Sequence, residues 1–181
     1  ARLFVNAGWA HLIAPQTYPE TDFSGHHLPA TTYRSATEQQ QVVTAITDLL
    51  LEEAHIDRDV LGALEWSLNE TTYNVLTHSD DPTGGIVQVT RYDKVAHIVV
   101  CDAGQGIGPS MREAFPKLDT DLLAVEQAVL PGVTSGAGQG NGLAGICSIA
   151  RLAEGEVSIL SGRAYANLRY VGHDVREHWQ P

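Results

Sequence analysis

Three blocks of residues carry the chemistry open to this chain. Glu70, Asn74 and His78 stand at i, i+4 and i+8, so on a helix they share one stripe. A polar stripe on a helix that also packs a core is costly unless something satisfies it. Mg²⁺ accepts an amide oxygen as a ligand, so a magnesium–phosphate group is one solution and plain solvent is the other. Twenty-eight residues after Asn74 comes Asp102-Ala-Gly104-Gln-Gly106-Ile107-Gly108. Glycines at that spacing let the backbone turn tightly and approach a ligand closely. Farther on, Gly138-Gln139-Gly140-Asn141-Gly142-Leu143 precedes a helical pattern. Backbone N–H groups at such a helix start cradle phosphate, and Asn141 adds a side chain there.

In this order the blocks resemble the N, G1 and G2 boxes of the GHKL ATPase superfamily, which spans gyrase, heat-shock chaperone, histidine-kinase and MutL types. The resemblance covers roughly residues 60 to 170. It implies ATP and Mg²⁺ bound on a Bergerat fold: an α+β two-layer sandwich with a mixed, mostly antiparallel sheet, helices on one face and an ATP lid. Under the resemblance Asn74 ligates Mg²⁺, His78 closes the motif and Glu70 is the general base. Classical histidine kinases usually carry Asn at that position, so Glu70 implies a nucleophile that must lose a proton, water or a Ser/Thr hydroxyl. Asp102 accepts a hydrogen bond from the adenine amine. Gly104, Gly106, Ile107 and Gly108 line the nucleotide, as do Gly138, Gln139, Gly140, Asn141, Gly142 and Leu143. Residues 109 to 137 are the expected lid, with Arg112, Lys117, Thr134 and Ser135 placed to reach phosphates. One departure concerns the Thr that many members carry near the penultimate strand. The matching stretch here lacks it, and Asn167 is the available substitute.

Two rival nucleotide motifs fit worse. G-x-G-x-G followed by Pro109 is not the dinucleotide fingerprint G-x-G-x-x-G, and no P-loop G-x-x-x-x-G-K-[S/T] occurs. Within the resemblance, the compact length and Glu70 favour a regulatory serine/threonine kinase like the anti-sigma-factor kinases, acting on a protein partner. An ATP-hydrolysing switch is the second option, although such proteins usually borrow a Lys from a following domain. A non-catalytic nucleotide sensor is the third. A histidine-kinase domain is weaker, because the first helix carries only His55 and no phosphoacceptor pair.

The elements that must position these groups are legible. Ser35-Ala-Thr-Glu38 reads as a capping box opening a helix that ends near His55, with Val42, Ile46, Leu49 and Leu50 on one face. A second helix spans about Asp59 to Thr77, with Val60, Leu64, Leu68 and Val75 toward the core. Ile86–Arg91 and Val95–Cys101 read as strands joined at Asp93-Lys94, and the second is apolar enough for a central strand. A short helix is expected near Asp119 to Val129 and another over Asn141 to Ala153. A last hairpin runs Glu156–Leu160 and Ala164–Val171. Residues 1 to 34, with Pro15, Pro19 and Pro29, read as an irregular arm. It packs on the domain, dimerises, or trails from a missing upstream domain; a homodimer stays open. The ATP-binding domain is expected over 35 to 175, with 176 to 181 a tail.

Composition narrows the classes. With 181 residues, one domain is the default. A net charge of −11 with only 11 Lys and Arg argues against direct nucleic-acid binding. No apolar run is long enough for a membrane span and no signal peptide is visible, so the expected location is the cytoplasm. The chain opens with Ala1, as a processed product or a piece of a longer protein would. Cys101 and Cys147 read as buried reduced thiols, and the eight histidines, His26-His27 in a loop among them, show no zinc-ligand spacing.

Overall fold

The capping box forms as its residue types require. In the computed structural model Ser35 Oγ accepts from Glu38 N at 3.2 Å, and Glu38 Oε2 reaches back to Arg34 N at 2.6 Å. The return bond lands one residue before the expected cap. The structure describes residues 6–20, 27–53, 58–79, 82–92, 95–133 and 142–181. Among them, in chain order, are α1 (Trp9–Ile13), β1 (His27–Tyr33), α2 (Ala36–Glu53), α3 (Arg58–His78), β2 (Gly85–Tyr92) and β3 (Val95–Asp102). Then follow α4 (Ile107–Ala114), α5 (Asp121–Ala128), α6 (Gly142–Leu152), β4 (Glu156–Ser161), β5 (Ala164–Val171) and β6 (Asp174–Gln180).

The class is α+β, but a single mixed sheet is not what forms. Two separate three-stranded sheets appear, β1-β2-β3 and β4-β5-β6, and every pairing among the described strands is antiparallel. β3 is therefore an edge strand, contrary to the expectation of a central one. Its Ile98 and Val100 pack inward, while Val95 and Val99 on its length are exposed. An apolar run reads as doubly covered in sequence, and here its outer edge is open.

The arm also departs from expectation. It contributes α1 and the strand β1, which pairs with β2. Pro29 fits because β1 is an edge strand and its register shifts between Leu28 and Thr31, where a missing N–H costs no ladder bond. His27 opens that strand instead of lying in a loop, and its Nδ1 accepts from Arg91 N at 3.1 Å. The expected tail likewise is mostly strand: β6 folds back on β5 after a turn at Gly172, whose φ is +58°. Asp93-Lys94 lies outside the described residues.

Two cores result. Val43, Ile46, Leu50, Leu68, Val87 and Val89 bury between the first sheet and α2 and α3. On α3, Leu61 is buried and Val60 only partly so, a rotation of the expected face by about 100° at the first turn. The second core holds Val125, Cys147, Val157, Ile159, Ala166, Leu168 and Tyr170 between β4–β6 and α5 and α6. Cys147 is buried as expected, whereas Cys101 is half-buried.

A buried polar node fixes α3. Gln39 Nε2, from α2, donates to Thr72 Oγ1 at 2.7 Å and to Asn69 Oδ1 at 3.1 Å. Tyr33 Oη donates to Thr72 O at 3.2 Å, and burial pushes its hydroxyl well above the usual tyrosine range. Gly85 gives the Tyr33 ring its room, since a methyl there would collide with it. Replacing Gln39 with Ala leaves the node short of donors in a buried place. The expected loss is about 1–3 kcal/mol, read as a lower denaturant midpoint with an unchanged slope. An unaltered midpoint would remove the node from the account of stability.

Candidate functional site

α3 carries the expected stripe. Glu70, Asn74 and His78 are each half-buried, neither sunk in the core nor fully solvated. They span about 12 Å along the helix. They sit roughly half a turn round the helix from Thr72, so the core node faces one way and the stripe the other. Helix propagation survives three β-branched threonines, Thr71, Thr72 and Thr77, because tertiary contacts override propensity here. Thr72 and Thr77 also return their hydroxyls to carbonyls one turn back.

At the Glu70 end the stripe meets α6. A methyl group placed on Gly142 would lie 3.3 Å from both Glu70 Cγ and Thr71 Oγ1. A side chain at Gly145 would collide with Ser67 Oγ. These two glycines let the helices approach closely, so the end of the third glycine block and the start of α6 lie beside Glu70. Thr71 Oγ1, at this contact, is shut off from solvent and has no hydrogen-bond partner among the described residues. Thr71 was not singled out in sequence; its only signal is adjacency to Glu70. Thr134, Ser135, Gly138, Gln139, Gly140 and Asn141 lie outside the described residues. Leu143 turns partly into the second core.

At the His78 end the stripe meets the turn after β3. Gln105 N donates to Ser79 O at 3.1 Å and Gln105 Nε2 to His78 O at 3.0 Å. Gly104 is forced by contact, because any Cβ there would collide with Ser79. Gly104 N donates to Asp102 Oδ1 at 2.8 Å, which folds the turn over an exposed Asp102. Gly106, at φ +76°, occupies left-handed backbone. A polar groove of about 690 Å³ opens beside this end, lined by Leu76, Thr77, His78, Pro82, Gln105, Ser110 and Glu113. Of the stripe it touches His78 alone.

The segment behind the turn is clasped from the far side. Ile107 N donates to Ser161 Oγ at 2.7 Å. Arg112 Nη2 meets Asp121 Oδ1 at 2.5 Å and its Nε donates to Leu118 O at 3.0 Å. Arg163 N donates to Asp121 Oδ2 at 3.0 Å. Gly108 and Gly162 both lie against Asp121, with no room for a Cβ. Arg112 is thus an internal brace, with Nη2 on Asp121 and Nε on Leu118 O. Asn167 is likewise engaged elsewhere: its Nδ2 donates to Glu156 Oε1 at 2.7 Å and to Ser158 Oγ at 2.9 Å on the outer face of the second sheet.

Asp121 is held below the ordinary carboxylate range, first by the Arg163 N–H and next by Arg112. A depressed folded value means stability present above pH about 4, the unfolded value, and lost as pH falls through the folded one. Asp121→Asn is therefore expected to lower the melting temperature at pH 7, by about 1 kcal/mol in stability. The gap between variant and wild type should close below pH about 4. A gap that persists unchanged at pH 2 would show that the charge is not what holds the clasp.

Among the described residues no three His, Cys, Asp or Glu side chains gather as a metal site, and no helix is long and apolar enough to cross a membrane. No protein-family model, curated protein or solved structure matches this chain.

Proposed function

We propose that this chain binds Mg-ATP along the α3 stripe and transfers its γ-phosphoryl group to a Ser or Thr hydroxyl of a protein partner. The observation that carries the reading is the contact of Gly142 with Glu70 and Thr71, which sets the last glycine block against the stripe's polar end. A buried hydroxyl without a partner suits a ligand oxygen or a Mg²⁺-bound water at that spot. Asn74, one turn on, supplies the amide oxygen that Mg²⁺ accepts. The exposed Asp102 keeps Oδ2 for an adenine amine while Oδ1 holds the turn. The arrangement supports the Bergerat-type site that the N, G1 and G2 boxes imply.

Each residue has one task on this reading. Glu70 takes the proton of the attacking hydroxyl, Asn74 and the glycine N–H groups hold the phosphates, and Asp102 selects the base. When bound, Mg²⁺ offsets charge on the transferring group. An ATP-hydrolysing switch uses the same residues, with water as the nucleophile.

The test is ATP binding and turnover by the purified chain, with phosphate release and label transfer to added partner proteins followed separately. Asn74→Ala is expected to abolish Mg-dependent binding. Glu70→Ala should keep binding and lose at least 100-fold in turnover, the usual scale for a general base. Asp102→Asn should weaken the preference for ATP over GTP. Binding with no difference between wild type and Asn74→Ala would overturn the site, and full turnover by Glu70→Ala would overturn its role.

A further inference from the structure

Glu70 has two aromatic neighbours on α3 that the proposed chemistry does not use. Trp66 stands four residues before it and Tyr73 three residues after it, so all three share one face of the helix. Trp66 is 44% exposed and Tyr73 is 53% exposed. The two are seven residues apart, nearly in line, and about 10 Å from each other along the axis. Leu68 and Thr72 turn into the first core, and Ser67 and Thr71 meet α6. The aromatic face is neither of these packed sides. One edge of the Trp66 ring is nonetheless anchored beside α6, because a methyl group on Gly145 would lie 3.5 Å from its Cζ3.

A single exposed aromatic is ordinary, but two in line beside a candidate base bear on what reaches that base. Trp and Tyr offer large, stiff contact area and carry much of the binding energy at interfaces. A hydroxyl that gives its proton to Glu70 must come within about 3 Å of it. The chain bearing that hydroxyl then lies against Trp66 and Tyr73. Charge indicates what kind of chain. Between positions 36 and 78, which include α2 and α3, the sequence carries eight carboxylates against a single arginine, Arg58, and so holds most of the net charge of −11. Glu65, next to Trp66, and Glu70 itself belong to that set. A cationic segment is drawn to such a layer and an anionic one is repelled. Arg and Lys also stack on the faces of Trp and Tyr. A second copy of the chain would bring an equally acidic layer against this one.

We propose that Trp66 and Tyr73 dock the acceptor segment of the protein substrate, a stretch in which Arg or Lys flanks the Ser or Thr presented to Glu70. The inference rests on the proposed function, because it takes Glu70 as the base. Extended chain advances about 3.3 Å per residue, so cations about two residues either side of the hydroxyl reach the two rings while the hydroxyl faces Glu70. The rings select the acceptor by cation–π contact and by attraction to the acidic layer, and they take no part in holding nucleotide.

The probe is a fluorescein-labelled peptide with one serine between two pairs of arginines, titrated against the full chain without nucleotide and followed by anisotropy. A companion peptide carries glutamates in place of the arginines, and Mg-ATP binding is measured on the same proteins. Wild type is expected to bind the arginine peptide and not the glutamate one. Tyr73→Ala should weaken binding severalfold and Tyr73→Ala with Trp66→Leu at least tenfold, the leucine keeping apolar volume beside α6. Leu160→Ala, exposed on the second sheet, should leave it unchanged, and all of these variants should bind Mg-ATP as wild type does. With ATP binding intact, failure to bind the arginine peptide, equal binding of the glutamate peptide, or full binding by the double variant overturns the docking surface and leaves the nucleotide site standing. Absence of ATP binding by wild type overturns the proposed function, and the acceptor role of this face with it. A concentration-dependent dimer that Tyr73→Ala dissolves overturns the proposal in favour of a second copy.

Discussion

Thr72 is the residue on which the rest of the molecule is hung. Its carbonyl receives Tyr33, its hydroxyl receives Gln39, and the same hydroxyl donates to Leu68 O. Those bonds bring β1, α2 and α3 to one fully buried point. A buried polar node of this kind is costly when half satisfied and rigid when complete. It therefore sets the rotation of α3 about its own axis. With Thr72 fixed toward the core, Glu70 and Asn74 must face the opposite side, where α6 lies. The polar stripe is a consequence of the packing that occurs behind it.

α3 is also the joint between two cores that share no sheet. One core lies on β1–β3 and the other on β4–β6. They are joined where α6 meets α3, through the glycines at positions 142 and 145. Side chains at those two positions would push the helices apart and open the space beside Glu70. The clasp at Asp121 performs the matching task on the far side, tying α4 and α5 to the β4–β5 turn. Its components are a charge-assisted pair and two backbone-facing glycines, so the loop after β3 is held between Ser79 on one side and Ser161 on the other.

How much of this was legible follows from which signals are local. The Ser35 cap, the apolar period of α2 and the β4–β5 hairpin are properties of short windows, and they form as read, except that Glu38 returns its bond to Arg34 N. β6 was missed because its inward residues are Val175, Glu177 and Trp179, with a carboxylate in the middle of the apolar face. The chain tolerates it because Trp179 Nε1 donates to Glu177 Oε2 at the sheet's edge, at 3.1 Å. Pro29 argued against a strand and is accommodated by a register shift that no window reveals. The edge position of β3 is a fact about pairing, which composition does not encode. In the candidate site, spacing alone put Glu70, Asn74 and His78 on one helix face, while their proposed roles came only from the resemblance. Thr71, Gln105 and Ser161 were not readable, because each acts through a neighbour brought from 27 or more residues away, as Gln105 meets His78 and Ser161 meets Ile107.

The chain's acidity constrains the proposed phosphate site more tightly than any single contact. An anionic ligand approaching a protein of charge −11 needs cations or oriented N–H groups. Arg112 is the cation nearest in sequence to the Asp102 turn, and Asp121 already holds it. Arg169 and Arg176 are exposed on the outer face of the second sheet, with Glu156 opposite Arg169, away from the face that packs on α5 and α6. Among the described residues, the stripe offers such a ligand an amide, a buried hydroxyl and the first turn of α6. On the proposed function, a phosphate ligand held by such groups would have to bring its own counter-ion, so the proposed dependence on Mg²⁺ rests on the charge distribution as well as on Asn74.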